Sequence, residues 1–136
     1  MIIGIGNDIV SVKRINKAVQ RFGKRFEERI FTREERALAW QRGSPCVRTL
    51  STRWASKEAF VKSLKTGFQK NISWKDISVE KTADGNPILT VTGVALQLLE
   101  AAVPENYLPH IHLTISDETE WANAFVLIEA RRSLLK

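Results

Sequence analysis

The stretch that most constrains this chain runs from Arg53 to Leu64, RWASKEAFVKSL. Read as a helix turning about 100° per residue, it gathers Val47, Leu50, Trp54, Val61 and Leu64 onto one face. Glu58 falls in the middle of that stripe, one turn from Trp54 and from Val61. A carboxylate facing a core is costly unless a cation or hydrogen-bond donors compensate it. Lys62 stands one turn beyond Glu58, and Lys65 one step further round. Two readings stand side by side. One is an ordinary helix-edge ion pair, worth roughly a few tenths of a kcal/mol. The other is a functional acid.

The length of 136 residues suits one domain with one good core. The single cysteine, Cys46, excludes an internal disulfide framework and fits a reducing compartment. It has no histidine or carboxylate partner nearby in the sequence, so it reads as a packing residue. No apolar run approaches the roughly 18 residues of a membrane span, and the amino terminus is strand-like without a basic leader. The expectation is a cytoplasmic protein. A net charge of +6 is large for this size, and Arg14, Lys17, Arg21, Lys24 and Arg25 concentrate it at helical spacing. Such a ridge attracts an acidic protein, nucleic acid or an anionic surface, or is simply solvated. Few aromatics interleave with it, which weakens a single-stranded nucleic-acid reading.

In chain order, Ile2 to Val10 reads as a strand, with Gly4, Gly6 and Asp8 on one face and Ile3, Ile5 and Ile9 on the other. Two positions without side chains beside an acid leave room for a ligand or for another backbone. A helix from Val12 to Phe22 follows. Thr32-Arg33-Glu34-Glu35 has the form of a capping box and opens a second helix toward Trp40. Arg42-Gly43-Ser44-Pro45 ends it, and the third helix runs from Val47 to Lys65, closed by Thr66-Gly67. Strands at Ile77–Glu80 and Ile88–Val91 flank the turn Ala83–Pro87. A short helix from Gly93 to Val103 precedes a closing hairpin, His110–Ile115 and Ala122–Glu129, joined through Ser116–Glu120. This order predicts an α+β fold with a largely antiparallel sheet.

Asp8 and Glu58 together suit a hard cation, since magnesium takes few carboxylates, keeps waters and draws further oxygens from substrate phosphates. Lys62, Arg53 and Arg48 near the same helix suit a phosphate-rich ligand. His110 and His112 form an H-x-H pair without a third ligand at convincing spacing, so they read as satisfied or surface histidines. The four tryptophans read as core or interface residues. One class of function is then a magnesium-dependent enzyme acting on phosphates; the alternative is a small basic nucleic-acid-binding module without catalysis.

Gly4-Ile5-Gly6-Asn7-Asp8-Ile9-Val10 with Arg14-Ile15, and Arg53-Trp54-Ala55-Ser56-Lys57-Glu58-Ala59-Phe60-Val61-Lys62, form two motifs in register. The Gly85-x-Pro87 turn and the block Leu113-Thr114-Ile115-Ser116-Asp117-Glu118 with Ala122-x-Ala124-x-Val126 accompany them. Over nearly its whole length the chain resembles the holo-[acyl-carrier-protein] synthases, a 4'-phosphopantetheinyl transferase family. The resemblance implies transfer of 4'-phosphopantetheine from coenzyme A to a serine of apo acyl carrier protein, with release of adenosine 3',5'-bisphosphate. It implies Asp8 and Glu58 as magnesium ligands and Lys62 at the transferring phosphate. It leaves open whether the serine proton would depart through a metal-associated water or through Glu58. Arg48 and Arg53 are implied at the nucleotide phosphates, Gly85 and Pro87 along the coenzyme, and Ser116 and Asp117 near the adenine. The ridge, with Arg14, Lys17, Arg21 and Arg25, becomes a docking surface for the acidic carrier protein rather than a nucleic-acid footprint. A homotrimer with active sites at subunit boundaries and a role in fatty acid biosynthesis are implied as well. The chain departs from the family pattern at Asp117, where many members have histidine, at Lys65, where glycine is commoner, and at Trp54, where phenylalanine is commoner.

Overall fold

The computed structural model describes residues 1–68 and 71–134. Its organising contact is main chain against main chain. β1 (Ile2–Ser11) lies against the long helix α4 (Val47–Ser63) through its two glycines. A Cβ on Gly4 would stand 2.0 Å from the Ser63 carbonyl oxygen, and one on Gly6 would stand 1.9 Å from that of Ala59. So the slot beside Asp8 is filled by another backbone, and the strand also shifts register between Ile2 and Gly4. Gly6→Ala has no flexible side chain to push aside. Overpacking of this kind costs about 1–3 kcal/mol, occasionally more, and a lowered denaturant midpoint at unchanged slope is the expected result.

β1 pairs antiparallel with β5 (Trp121–Arg132), which pairs antiparallel with β4 (Tyr107–Asp117), giving the order β1-β5-β4. The inward positions of β5 are Ala122, Ala124, Val126, Ile128 and Ala130, small beneath the helix at one end of the strand. The outward positions place Ile5 and Ile9, each 60% exposed, beside Phe125 and Leu127 on a face that no element of the described residues covers. A second antiparallel pair, β2 (Ile77–Lys81) and β3 (Pro87–Val91), is followed by helix α5 (Gly93–Ala102). The α+β class with antiparallel pairing is therefore observed, divided between two sheets.

The helices before α4 are α1 (Val12–Phe22), α2 (Lys24–Ile30) and α3 (Arg33–Ala39). Ser11 caps α1, and the expected capping box of Thr32 and Glu35 is formed in full. Helix α2 was not expected. Gly23, at φ +56°, breaks the chain after α1, and the seven residues that follow are too few to display a period. A single 3₁₀ turn at Trp74–Asp76 also escaped the pattern. Lys65 sits at φ +63°, the left-handed region that glycine enters freely.

The helix α4 corrects one expectation. Its buried residues are Leu50 through Arg53, Ala55 through Lys57, Ala59 through Val61, and Ser63, so it is enclosed almost all round. Trp54, Glu58 and Lys62, spaced by four, form the line that reaches the surface. Glu58 therefore does not face the core: the sheet side of the helix is made of small residues, because β1 comes too close for anything larger.

Candidate active site

Asp8 lies on the inward face of β1, two residues beyond Gly6, and therefore against the last turns of α4. The Lys62 ammonium donates to Asp8 Oδ1 and to the Asn7 carbonyl, both at 3.0 Å. The simple Glu58–Lys62 ion pair is thus not the one that forms; Lys62 reaches across to the strand. Glu58 is half-buried beside this pair. Burial and the Asp8 charge push its carboxyl above the ordinary glutamate value, against the pull of Lys62 and Arg14. Two neighbouring carboxylates, one of which disfavours the other's charge, are a donor set for a cation. Among the described residues no group of three acids, histidines or cysteines converges. A pair of carboxylates with open positions fits magnesium, which completes its shell with water and phosphate oxygens.

The predicted nucleotide residues gather elsewhere on the helix. Arg48, Arg53, Gly85, Pro87 and Asp117 line a cavity of about 420 Å³ together with Cys46 and Lys81. Arg48 holds Asp117 through Nη2 at 2.7 Å and Nε at 2.8 Å. Arg53 is 7% exposed, and its Nη1 donates to Thr52 Oγ1 at 3.0 Å, while Nε and Nη2 have no partner among the described residues. Burial lowers its pKa, against the pull of Glu35 and Asp117. Gly85 takes φ +83° in the turn that carries Pro87 to the cavity wall. Ser116 is the exception among these residues: it is exposed, opposite Asn123 on the outer sheet face, and does not line the cavity. Asp8, Glu58 and Lys62 do not line it either. Arg53 and Glu58 are five residues apart, about 140° around the helix.

Arg14, Lys17, Arg21 and Arg25 are all exposed. The Arg14 guanidinium sits 5.6 Å above the Trp54 ring, which ties the basic ridge to the open line of α4. Trp54 is part of an aromatic stack running from Phe26 through Trp54 and Trp74 to Phe68, with centroids 6.1, 4.4 and 3.7 Å apart. Beside it lies a groove of about 450 Å³ lined by Phe22, Phe26, Ile30, Trp54 and Trp74, with Arg25 and Arg29 at its edge. Sequence reasoning missed Phe26, Arg29 and Trp74 as site neighbours. The four-residue step from Phe22 through Phe26 to Ile30 was the available signal.

His112 bonds Glu129 Oε1 at 2.9 Å, consistent with a satisfied surface histidine. Cys46 is not a packing residue: it is exposed and lines the same cavity as Arg48 and Arg53.

An antiparallel sheet clasped by a long helix, with an acid pair on one side of that helix and a cationic cavity on the other, defines a class of small α+β protein suited to phosphate ligands. Known proteins make the class specific. Residues 4–123 match the family model of the 4'-phosphopantetheinyl transferase superfamily. A holo-[acyl-carrier-protein] synthase of Sphingopyxis alaskensis is 46% identical over 130 residues, covering 96% of this chain and 98% of that protein. The crystal structure of the holo-[acyl-carrier-protein] synthase of Neisseria meningitidis superposes with a TM-score of 0.82 at 38% identity, covering 95% and 99% of the two chains. The Bacillus anthracis synthase, solved in complex with CoA (3',5'-ADP), gives 0.76 at 35% identity, covering 96% and 99%. The chain belongs to the 4'-phosphopantetheinyl transferase superfamily.

Proposed function

We propose that this protein is a holo-[acyl-carrier-protein] synthase, transferring 4'-phosphopantetheine from coenzyme A to a serine hydroxyl of apo acyl carrier protein. The observation that carries the reading is the half-buried pair Asp8 and Glu58, with Lys62 bridged onto Asp8, in a chain of this family. The serine oxygen forms a bond to the phosphorus bearing pantetheine, and the bond from that phosphorus to the oxygen of adenosine 3',5'-bisphosphate breaks. Phosphoryl transfer depends chiefly on positioning and on stabilising charge. Asp8 and Glu58 would hold magnesium, which supplies charge neutralisation on the pyrophosphate oxygens. Lys62 adds a point charge for the transferring phosphate and the leaving group. Arg53, with two unused nitrogens, and Arg48 receive the nucleotide phosphates.

The acid pair and the nucleotide cavity lie on different sides of α4, which supports a site assembled between copies of the chain. The uncovered apolar face of Ile5, Ile9, Phe125 and Leu127 supplies the surface for such an assembly, read here as a homotrimer. The buried residues of both sheets and the helices join one hydrophobic cluster, which supports a single transferase domain over 1–136. No helix of the described residues is long and apolar enough to cross a membrane. Cytoplasmic location and a role in fatty acid biosynthesis complete the reading.

Intact-mass measurement of apo carrier protein incubated with coenzyme A, magnesium and this protein tests it. A phosphopantetheine increment is expected. Its absence over a range of protein and metal concentrations sinks the assignment. Arg14→Glu reverses a charge on the ridge and disturbs the Trp54 contact. It is expected to raise the carrier-protein KM about tenfold or more, with little change in the coenzyme A KM. Equal changes in both would reject the ridge as a docking surface.

A further inference from the structure

Cys46, the single cysteine of the chain, stands at the amino-terminal end of α4, where the helix dipole favours negative charge. It is exposed, and it lines both the 420 Å³ cavity and an adjoining cavity of about 390 Å³ edged by Arg42 and Lys81. Arg53 lines both as well, 7% exposed, with Nε and Nη2 unpartnered among the described residues. A buried guanidinium with unused donors beside an accessible sulfur is a receptor for an anion carried by a thiol reagent. The Thr49 side chain and amide, with smaller help from the Arg48 amide and charge, hold the thiol below its ordinary value against partial burial.

We propose that Cys46 is a modification site at which anionic low-molecular-weight disulfides, of the glutathione or coenzyme A kind, form a mixed disulfide while their anionic group rests on Arg53. The Cys46 thiolate attacks one sulfur of the incoming disulfide. A Cys46–S bond forms, the S–S bond of the reagent breaks, and the second half leaves as a thiolate. The reagent is its own oxidant, so the step balances without another. The attached group occupies the nucleotide cavity and closes it to substrate. In a reducing compartment such a bond is transient, a response to oxidative excursions. Only that last consequence, loss of transfer, rests on the function proposed above; the chemistry at sulfur does not.

The test uses the full chain, reduced and then exposed separately to oxidised glutathione, coenzyme A disulfide and the uncharged 2-hydroxyethyl disulfide, followed by intact mass and peptide mapping. One adduct on Cys46 is expected, removed by dithiothreitol and absent in Cys46→Ser. Both anionic reagents should react about tenfold or more faster than the neutral one, as electrostatic steering into a charged cleft allows. Arg53→Gln should abolish that preference. The wild-type protein gives a parallel readout, since added salt should shrink the preference by screening. Absence of an adduct, or equal rates for charged and neutral reagents, overturns the proposal. In an active preparation, transfer should fall in proportion to the adduct and return with dithiothreitol. Because the adduct is read by mass, a protein without transferase activity would reject the proposed function and leave this inference standing.

Discussion

Glu58→Gln is expected to lower the rate of phosphopantetheine transfer by about a hundredfold to a thousandfold, the range typical for removal of one charge-stabilising group. The same substitution should leave the thermal midpoint unchanged or slightly higher. That combination follows from the surroundings of the carboxyl. Burial and the neighbouring Asp8 charge already disfavour its ionised form, so the folded state loses nothing when the charge is removed. A neutral amide of the same shape keeps the packing beside Trp54 and Lys62 but halves the anionic donor set. Steady-state transfer at saturating carrier protein, run beside thermal unfolding with and without magnesium, separates the two effects. The magnesium-induced rise in midpoint should shrink or vanish in the variant. Wild-type turnover in Glu58→Gln would remove Glu58 from the metal site.

Lys57→Met is expected to destabilise the fold by about 3–5 kcal/mol, the usual consequence of leaving one member of a buried ion pair without the other. Lys57 and Glu35 are both fully enclosed, with Nζ 2.6 Å from Oε1. The ammonium also donates to the Ile30 carbonyl at 2.7 Å and to the Trp74 carbonyl at 3.3 Å, and it lies 5.4 Å from the Phe31 ring centroid. Burial presses the Lys57 pKa down and Glu35 presses it back up. Glu35 accepts from the Thr32 and Val79 amides as well, so the pair fastens α3, β2, the end of α2 and the Trp74 turn onto α4. A fall in thermal midpoint of roughly 10 °C or more corresponds to a loss of this size. Adding Glu35→Gln to Lys57→Met should recover part of the loss, because the amide retains an oxygen for one of those backbone donors while removing the orphaned charge. Simple additivity of the two substitutions would show that they do not act as a pair.

Periodicity found β1, α1, α4 and the closing hairpin because each is long enough to repeat its pattern. The ends of β4 and β5 ran beyond the predicted hairpin, to Asp117 and Arg132, since their terminal residues are polar and partly exposed. What failed on α4 was orientation. Leu50, Trp54 and Val61 marked an apolar stripe, but the tightest face is built of Ala59, Ser63 and their small neighbours, and smallness carries little hydrophobic signal. Lys57 was legible in principle. It stands seven residues after Leu50 and seven before Leu64, on the line of two apolar residues, yet a lysine beside a suspicious glutamate drew no notice. Asp8 and Glu58 were readable as paired acids, and the fold brings them to the same end of α4. Their division from the Arg53 cavity depends on which way each side of the helix points, and only three dimensions supply that.

The glycine contact between β1 and α4 has a bearing on how this catalyst can vary. Where side chains set the spacing of two elements, each change of core residue moves them. Here carbonyl oxygens of Ala59 and Ser63 meet bare Cα atoms, so the gauge between the strand bearing Asp8 and the helix bearing Glu58 is fixed by the main chain. Apolar substitutions elsewhere in the core can accumulate without retuning the distance across the acid pair.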